Sequence, residues 1–124
     1  MMHAVARLYA SQPELMELFV LVSAAAADPS SAAHALFAER YERVIAQIAG
    51  GFQAEADAGL LRAGLDYTAV ARECVAVADG LQLQWVLSGG TFDLVGMSRV
   101  HLERLAPDIL RSGASVDLST PEPQ

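Results

Sequence analysis

The sequence contains no lysine, a single cysteine and little charge, with only 19% of its residues charged. Its eight arginines are outnumbered by 15 acidic residues, for a formal net charge of −7 at pH 7. Because an acidic chain is repelled by phosphate backbones, we do not expect it to bind DNA by itself. Cys74, being alone, excludes an internal disulfide and a multi-cysteine metal site, and it is compatible with a reducing compartment.

Long hydrophobic runs are also missing. The most apolar stretch, Leu18–Ala27, is shorter than the roughly 18 residues that cross a membrane. No basic segment precedes an apolar core at the N-terminus, so the sequence offers no secretion signal. We therefore expect a cytoplasmic protein without a membrane partner. Hydrophobic residues make up 53% of the sequence. A chain of only 124 residues has a small core and a large surface for its volume, so we expect some of these residues to contact a partner.

Alanine and leucine are abundant and β-branched residues never form a bounded alternating run, which predicts an all-α fold of about five helices. The predicted helices are the end of a longer helix over 1–11, then Pro13–Ala27, a helix capped by Ser30 or Ser31 and ending at Gly59, Tyr67–Ser88, and a last helix from Asp93 to the residue before Pro107. The second is apolar nearly all round, so we expect it to be the central element. One domain is predicted over 1–111, and a mobile tail over 112–124, where apolar periodicity ends.

Local residues are expected to set the helix ends. Asp66 and Asp93 suit N-terminal caps, and Gly59 suits a left-handed C-terminal cap. The pair Gly50 and Gly51 lies inside a predicted helix, where glycine lowers stability. The pair therefore predicts a bend, or a place where another backbone or a ligand comes close.

The helix Tyr67–Ser88 has an unusually wide apolar face. Two neighbouring lines of apolar residues cover an arc of about 200°. They are Val70, Cys74, Val77 and Leu81, and beside them Ala71, Val75, Ala78, Trp85 and Val86. One core cannot easily use so wide a face, which predicts that one side packs within the subunit and the other against a second subunit.

Four phrases occur in order along the chain. They are a helix ending in Asp28-Pro29, the pattern His34-x-x-Phe37-x-x-Arg40-Tyr41, the turn Gly59-Leu60-Leu61-Arg62 with the capping Asp66, and Asp79-Gly80-Leu81-Gln82-Leu83-Gln84-Trp85. Together they resemble the C-terminal, effector-binding and dimerisation domain of TetR-type transcriptional regulators. The resemblance implies that the last two helices form a dimeric four-helix bundle and that the preceding helices enclose an effector pocket.

The resemblance also implies a mechanism. In such regulators a DNA-binding helix-turn-helix precedes this domain, and the sequence begins without one. Whether that head was removed or never present stays open. Ligand binding is expected to relieve DNA binding in a full-length repressor, through differential binding to two conformations. DNA would be bound only through the missing N-terminal domain.

Aromatic and polar residues within apolar stripes are the candidates for the pocket, with core packing as the alternative for each. The candidate ligand-binding residues are Met16, Phe19, Phe37, Tyr41, Val44, Cys74, Ala78 and Gln82. Such a lining predicts a small lipophilic or aromatic effector. The amide of Gln82 in an apolar arc needs a hydrogen-bond partner, which is a ligand, a partner helix or a backbone carbonyl. The candidate residues of the homodimer interface are Val77, Leu81, Gln84, Trp85, Met97, Val100, His101 and Leu105.

We expect no catalysis, no cofactor and no metal, because the sequence has neither the Glu-x-x-His repeats of paired metal sites nor a strand followed by a Gly-rich phosphate loop. His34 is interpreted as a first-turn residue that fixes the connection over 28–31. His101 is expected at the dimer seam, where two copies meeting across the symmetry axis would sense pH. The alternative function is a stand-alone helical small-molecule carrier or interaction module without DNA binding.

Overall fold

The computed structural model of the chain describes residues 13–111. Within this range it contains four α-helices: α1 (Pro13–Ala26), α2 (His34–Asp57), α3 (Tyr67–Leu87) and α4 (Leu94–Ile109). An isolated antiparallel bridge joins Leu61 to Leu110. The all-α class is confirmed. The predicted helix over 1–11 and the predicted tail over 112–124 lie outside the described residues.

Side-chain caps begin α3 and α4 as the sequence predicts. The carboxylate of Asp66 accepts a 3.0 Å hydrogen bond from the backbone N–H of Ala69, and Asp93 accepts one of the same length from Gly96. Each bond satisfies a backbone donor that has no partner within its helix. These two short side chains thereby fix where the two helices start.

The start of α2 differs from the prediction. The helix begins at His34 after Ala33, which provides no side-chain cap. Ser31 instead accepts a 3.2 Å hydrogen bond from the N–H of Ala33, within the connecting turn, so the predicted serine cap of α2 is wrong. Nδ1 of His34 lies 2.8 Å from the carbonyl oxygen of Ala26, which ties the first residue of α2 to the last of α1. The interpretation of His34 as a residue that fixes this connection is confirmed.

The ends of α2 and α4 are held together. Gly59 follows α2 with a φ of +86°, the left-handed conformation that the sequence predicts for it. The backbone N–H of Arg62 then donates to the carbonyl of Ile109 at 2.8 Å, and its side chain donates to Leu110 at 3.1 Å. The prediction that α4 ends before Pro107 is wrong, because proline near the end of a helix removes only one hydrogen bond.

The central helix is α3, which packs against α1, α2 and α4. The prediction that α1 is central is wrong: among its side chains Leu18 is 57% exposed and Leu21 is 69% exposed. Apolar character all round a helix favours burial but does not determine which helix receives neighbours on most sides. In α3 the buried positions include the small residues Ala71 and Cys74, which allow close approach.

Two separate apolar clusters form the core. The first joins α2, the start of α3 and the end of α4, and its buried members are Ile45, Ala49, Ala56, Leu61, Tyr67, Ala71 and Ile109. The second joins α1, the end of α3 and the start of α4, and consists of Met16, Trp85 and Leu94. Neither cluster includes the buried residues Cys74 and Gln82, which lie between them along α3. Cys74 and Gln82 therefore mark a stretch of α3 that runs from one cluster to the other, which we call the mid-α3 segment and define as 74–82.

Candidate functional site

The mid-α3 segment carries one line of enclosed side chains. Cys74, Ala78 and Gln82 follow each other four residues apart, so each is rotated only about 40° from the previous one around the helix. Cys74 is fully buried, Ala78 is half-buried and Gln82 is 7% exposed. Burial raises the pKa of the Cys74 thiol to about 11, so the thiol is protonated and unreactive at neutral pH.

A hydrogen bond between two half-buried polar groups joins α2 to this segment. The hydroxyl of Tyr41 donates to Oδ2 of Asp79 at 2.6 Å. Burial raises the pKa of the Asp79 carboxyl, while the bond from Tyr41 and the nearby charge of Arg40 oppose the rise. Burial, and then the adjacent Asp79, raise the pKa of Tyr41 well above its usual range, so the phenol remains a donor at neutral pH.

Aromatic side chains from α1 and α2 lie beside this pair. The rings of Phe19 and Phe37 have centroids 6.0 Å apart and are tilted by 49°. The guanidinium of Arg40 lies 5.5 Å from the centroid of the Phe19 ring, a distance at which cation and ring attract. Arg40 and Tyr41 are adjacent in sequence, so the aromatic pair and the buried carboxylate share one neighbourhood.

Gln82 is enclosed without a partner for its carbonyl oxygen. Its Oε1 is buried and has no hydrogen-bond partner among the described residues. Buried polar atoms are nearly always paired, because an unpaired one loses its hydration without compensation. A backbone carbonyl, one of the three partners that the sequence leaves open for this amide, could accept only from its NH2 group, and the described structure supplies no donor to Oε1. The Nε atom of Arg99 and the Nε2 atom of His101 are also buried without partners.

The predicted ligand-binding residues separate into two groups. Phe19 contacts Phe37, Tyr41 bonds to Asp79, and Cys74, Ala78 and Gln82 share the mid-α3 line. Met16 instead belongs to the second apolar cluster with Trp85, and Val44 is half-buried on α2. Assignment of these residues to a ligand stays a prediction.

Sequence reasoning missed Asp79 and Arg40 as members of this neighbourhood. Asp79 directly follows Ala78 at the edge of the apolar arc, and a carboxylate there raises the same question about a hydrogen-bond partner as Gln82 does. Arg40 follows Phe37 by three residues and so lies on a neighbouring part of the helix surface. The helical spacing of the sequence could therefore have pointed to both residues.

The predicted interface residues are unevenly exposed. Gln84, Met97 and Val100 are exposed, whereas Val77, Leu81, His101 and Leu105 are half-buried. Leu105 packs against the first cluster and Leu81 against the second. Trp85 is buried in its own chain, and its indole N–H donates to the carbonyl of Phe92 at 3.2 Å. An interface at these residues stays a prediction.

Two exposed leucines on α3 were missed. Leu83 is 44% exposed and Leu87 is 78% exposed, and the four-residue spacing between them puts both on one face. On α4, Met97 and Val100 are 46% and 38% exposed. We call these four side chains the α3–α4 apolar face. The four-residue spacing of Leu83 and Leu87 is the sequence signal that could have identified the α3 pair.

The described part of the chain shows two further properties. Across residues 13–111, no three His, Cys, Asp or Glu side chains come together in a way that would hold a metal ion. Over the same residues, none of the helices combines the length and the apolar character needed to span a membrane.

Comparison with known proteins gives one match. Residues 1–107 match the family described as "BetI-type transcriptional repressor, C-terminal". No curated protein and no solved structure matches the chain. The family match extends over every helix of the described structure except the last two residues of α4. The chain therefore belongs to the family of BetI-type transcriptional repressor C-terminal domains, a TetR-type group.

Proposed function

We propose that this chain is the ligand-sensing and dimerisation domain of a TetR-like transcriptional repressor, and that a small lipophilic or aromatic effector relieves DNA binding by the full-length protein. Family membership supplies the class of protein. The observation that carries the sensing role is the mid-α3 segment, where Asp79 and Gln82 place polar groups between two apolar clusters. Effector sites combine an apolar lining with a few orienting polar groups in this way.

The position of the segment supports a route from ligand to conformation. Helix α3 packs against the other three described helices, so a ligand that wedges beside it changes their relative placement. Such a ligand would approach the Tyr41–Asp79 hydrogen bond, which holds α2 to α3. A ligand shifts the equilibrium between two conformations only by the difference in its affinity for them. The sensing conformation is then one in which α2 and α3 are spaced differently from the arrangement described above.

The α3–α4 apolar face supports dimerisation. Its four exposed side chains come from the two helices that the family resemblance assigns to a subunit interface. Exposed apolar side chains on neighbouring helices favour association, and a two-fold axis would pair this face with its own copy. A dimer links the two sensing domains, and through them the DNA-binding heads that a repressor carries. We propose a cytoplasmic location on the same ground, because a repressor acts on DNA.

The test measures DNA release by the full-length protein. Duplexes that it retains from a random library would serve as the operator, and lipophilic and aromatic compounds that raise the Tm of the present chain would be added to the complex. We expect at least one such compound to weaken DNA binding. Ala78→Leu, which adds bulk to the mid-α3 line, should keep DNA binding and lose the response. Ala46→Leu, at an exposed position of α2, is the matched control.

The proposal fails if compounds bind the chain and leave DNA affinity unchanged, or if none of them raises the Tm. Retention of the full response in Ala78→Leu would move the sensing site away from the mid-α3 segment. Loss of DNA binding in Ala46→Leu would show that added bulk acts through folding, in which case the half-sized change Ala78→Val replaces Ala78→Leu.

A further inference from the structure

Gln82 indicates which chemical group the effector carries. We infer that the effector presents a hydrogen-bond donor, a hydroxyl or an amine on an apolar body, to Oε1 of Gln82, and that it is not an anion. This inference rests on the proposed sensing function, and it adds the head group of the ligand to it.

The first step is the state of the amide. Gln82 is only 7% exposed. Its Oε1 is buried and has no hydrogen-bond partner among the described residues. A carbonyl oxygen only accepts hydrogen bonds, so the missing partner must be a donor. Leaving it unpaired lowers stability, and a residue of similar shape without the oxygen would avoid that loss.

The second step excludes a partner subunit. Oε1 is already covered by atoms of its own chain. The exposed apolar side chains of α3, Leu83 and Leu87, lie elsewhere on the helix surface. A second copy that docks on them therefore does not reach this oxygen. A ligand reaches it only by displacing the atoms that cover it, which the change in α2–α3 spacing proposed above would allow.

The third step concerns charge. Asp79, one helical turn before Gln82, is a carboxyl group whose pKa is raised by burial and which already accepts from Tyr41. A ligand anion would meet this second acidic group and would offer Gln82 no donor. Arg40 is the cation of this neighbourhood, and it already lies over the Phe19 ring and close enough to Asp79 to oppose the rise in its pKa. Nε of Arg99 and Nε2 of His101, on α4, also lack partners among the described residues, so the preference for a donor rests on Oε1 of Gln82 itself and on its acidic neighbour Asp79.

The experiment uses matched probes on the present chain. Apolar bodies of rising size, from para-propylphenyl to para-octylphenyl, are each prepared with four head groups: hydroxyl, amine, methyl ether and carboxylate. Affinity is measured by calorimetry, and the Tm of the ligand-free chain is recorded for every variant. We expect the hydroxyl or amine member to bind about tenfold more tightly than the ether on the same body. The tighter of the two donors identifies the head group.

The decisive variant is Gln82→Met, which keeps the length of the side chain and removes the oxygen. It should make donor and ether probes equal in affinity, and it should raise the Tm of the ligand-free chain. Gln47→Met, the same change at an exposed position of α2, should leave both unchanged. Equal binding of donor and ether by the wild-type chain overturns the inference, and so does tightest binding of the carboxylate.

Two further outcomes also count against it. A lower Tm in Gln82→Met would mean that the oxygen is satisfied in solution, for example by an enclosed water molecule. Retained donor preference in that variant would place the preference at another residue. If probes bind with the same affinity whatever their head group, only this inference is overturned. If no probe binds, the proposed sensing site is contradicted as well.

Discussion

The hydroxyl of Tyr41 donates to the carboxylate of Asp79 at 2.6 Å, and this half-buried bond joins two helices of the domain. Residue 41 lies in the first half of α2 and residue 79 in the middle of α3, so the contact spans 38 positions of sequence. Because the carboxylate is partly desolvated, the bond satisfies an acceptor that would otherwise lose its hydration. The same pair borders the segment that we propose to sense a ligand.

Tyr41→Phe should lower the free energy of unfolding by about 1–3 kcal/mol, because it leaves the half-buried carboxylate of Asp79 without its donor. Urea denaturation at pH 7 measures the loss. The matched control is Tyr41→Phe combined with Asp79→Asn, in which the unpaired carboxylate is also removed. If the double variant is as unstable as the single one, the unpaired carboxylate is not the cause of the loss.

The stability of the chain should depend on pH through Asp79. Its pKa is raised in the folded protein, so the folded state holds a proton more tightly than the unfolded state does. The stabilisation from this group is therefore full below the unfolded pKa of 3.8 and is lost as pH rises through the folded value.

Asp79→Asn should remove this dependence. The difference in unfolding free energy between wild type and Asp79→Asn should therefore favour wild type more at pH 3.8 than at pH 7. Urea titrations at a series of pH values test this. Asp108→Asn, at an exposed position of α4, serves as the control. A difference that is constant across the series, or that grows with pH, would contradict the raised pKa.

The glycine pair in α2, Gly50 and Gly51, should lower the free energy of unfolding, because glycine is unfavourable inside a helix and no packing contact requires it here. No other part of the described chain comes close to the pair, because both glycines are exposed and a methyl group at either would meet no atom within 4 Å outside the helix's own turns, while the predicted bend or approach of a ligand stays a prediction. Gly50→Ala and Gly51→Ala should each raise the free energy of unfolding by about 0.5–1 kcal/mol. Gly59→Ala should instead lower it, because its φ of +86° is unfavourable for alanine. Destabilisation by the first two variants would indicate that a second subunit approaches this face.

What could be predicted from the sequence was mainly local. Asp66, Asp93 and Gly59 act on backbone groups within a few residues, so sequence neighbours suffice to identify them. The serine cap of α2 failed because Ser31 bonds within the preceding turn, and two competing turns of similar energy are not separable by residue type.

The rest depends on contacts that are distant in sequence. The apolar character of α1 did not reveal that Leu18 and Leu21 face outward, because periodicity reports which residues favour burial and not which helix is surrounded. Asp79 was missed as a site residue because a charged side chain is normally assigned to the exposed side of a helix. Only the packing of α2 against α3 shows that Tyr41 reaches it. Gln82 was identified because an amide inside an apolar line is unusual wherever that line packs.

The last prediction concerns association of two chains through the α3–α4 apolar face. Leu87→Glu would place a charge on its most exposed member, 78% accessible in the single chain, so folding should be unaffected while a subunit interface would be broken. Light scattering over a dilution series should therefore give a dimer for wild type and a monomer for Leu87→Glu. Leu36→Glu is the matched control, since Leu36 is 67% exposed on α2 and lies off this face.

The two variants separate the possible surfaces. A dimer that survives Leu87→Glu and dissociates in Leu36→Glu would move the interface to the side of α1 and α2, where Leu18 and Leu21 are also exposed. A wild-type chain that stays monomeric and folded at micromolar concentration would contradict dimerisation through this domain. Since four exposed apolar side chains on two adjacent helices lose hydration only when another surface covers them, we expect the first variant to be the one that dissociates.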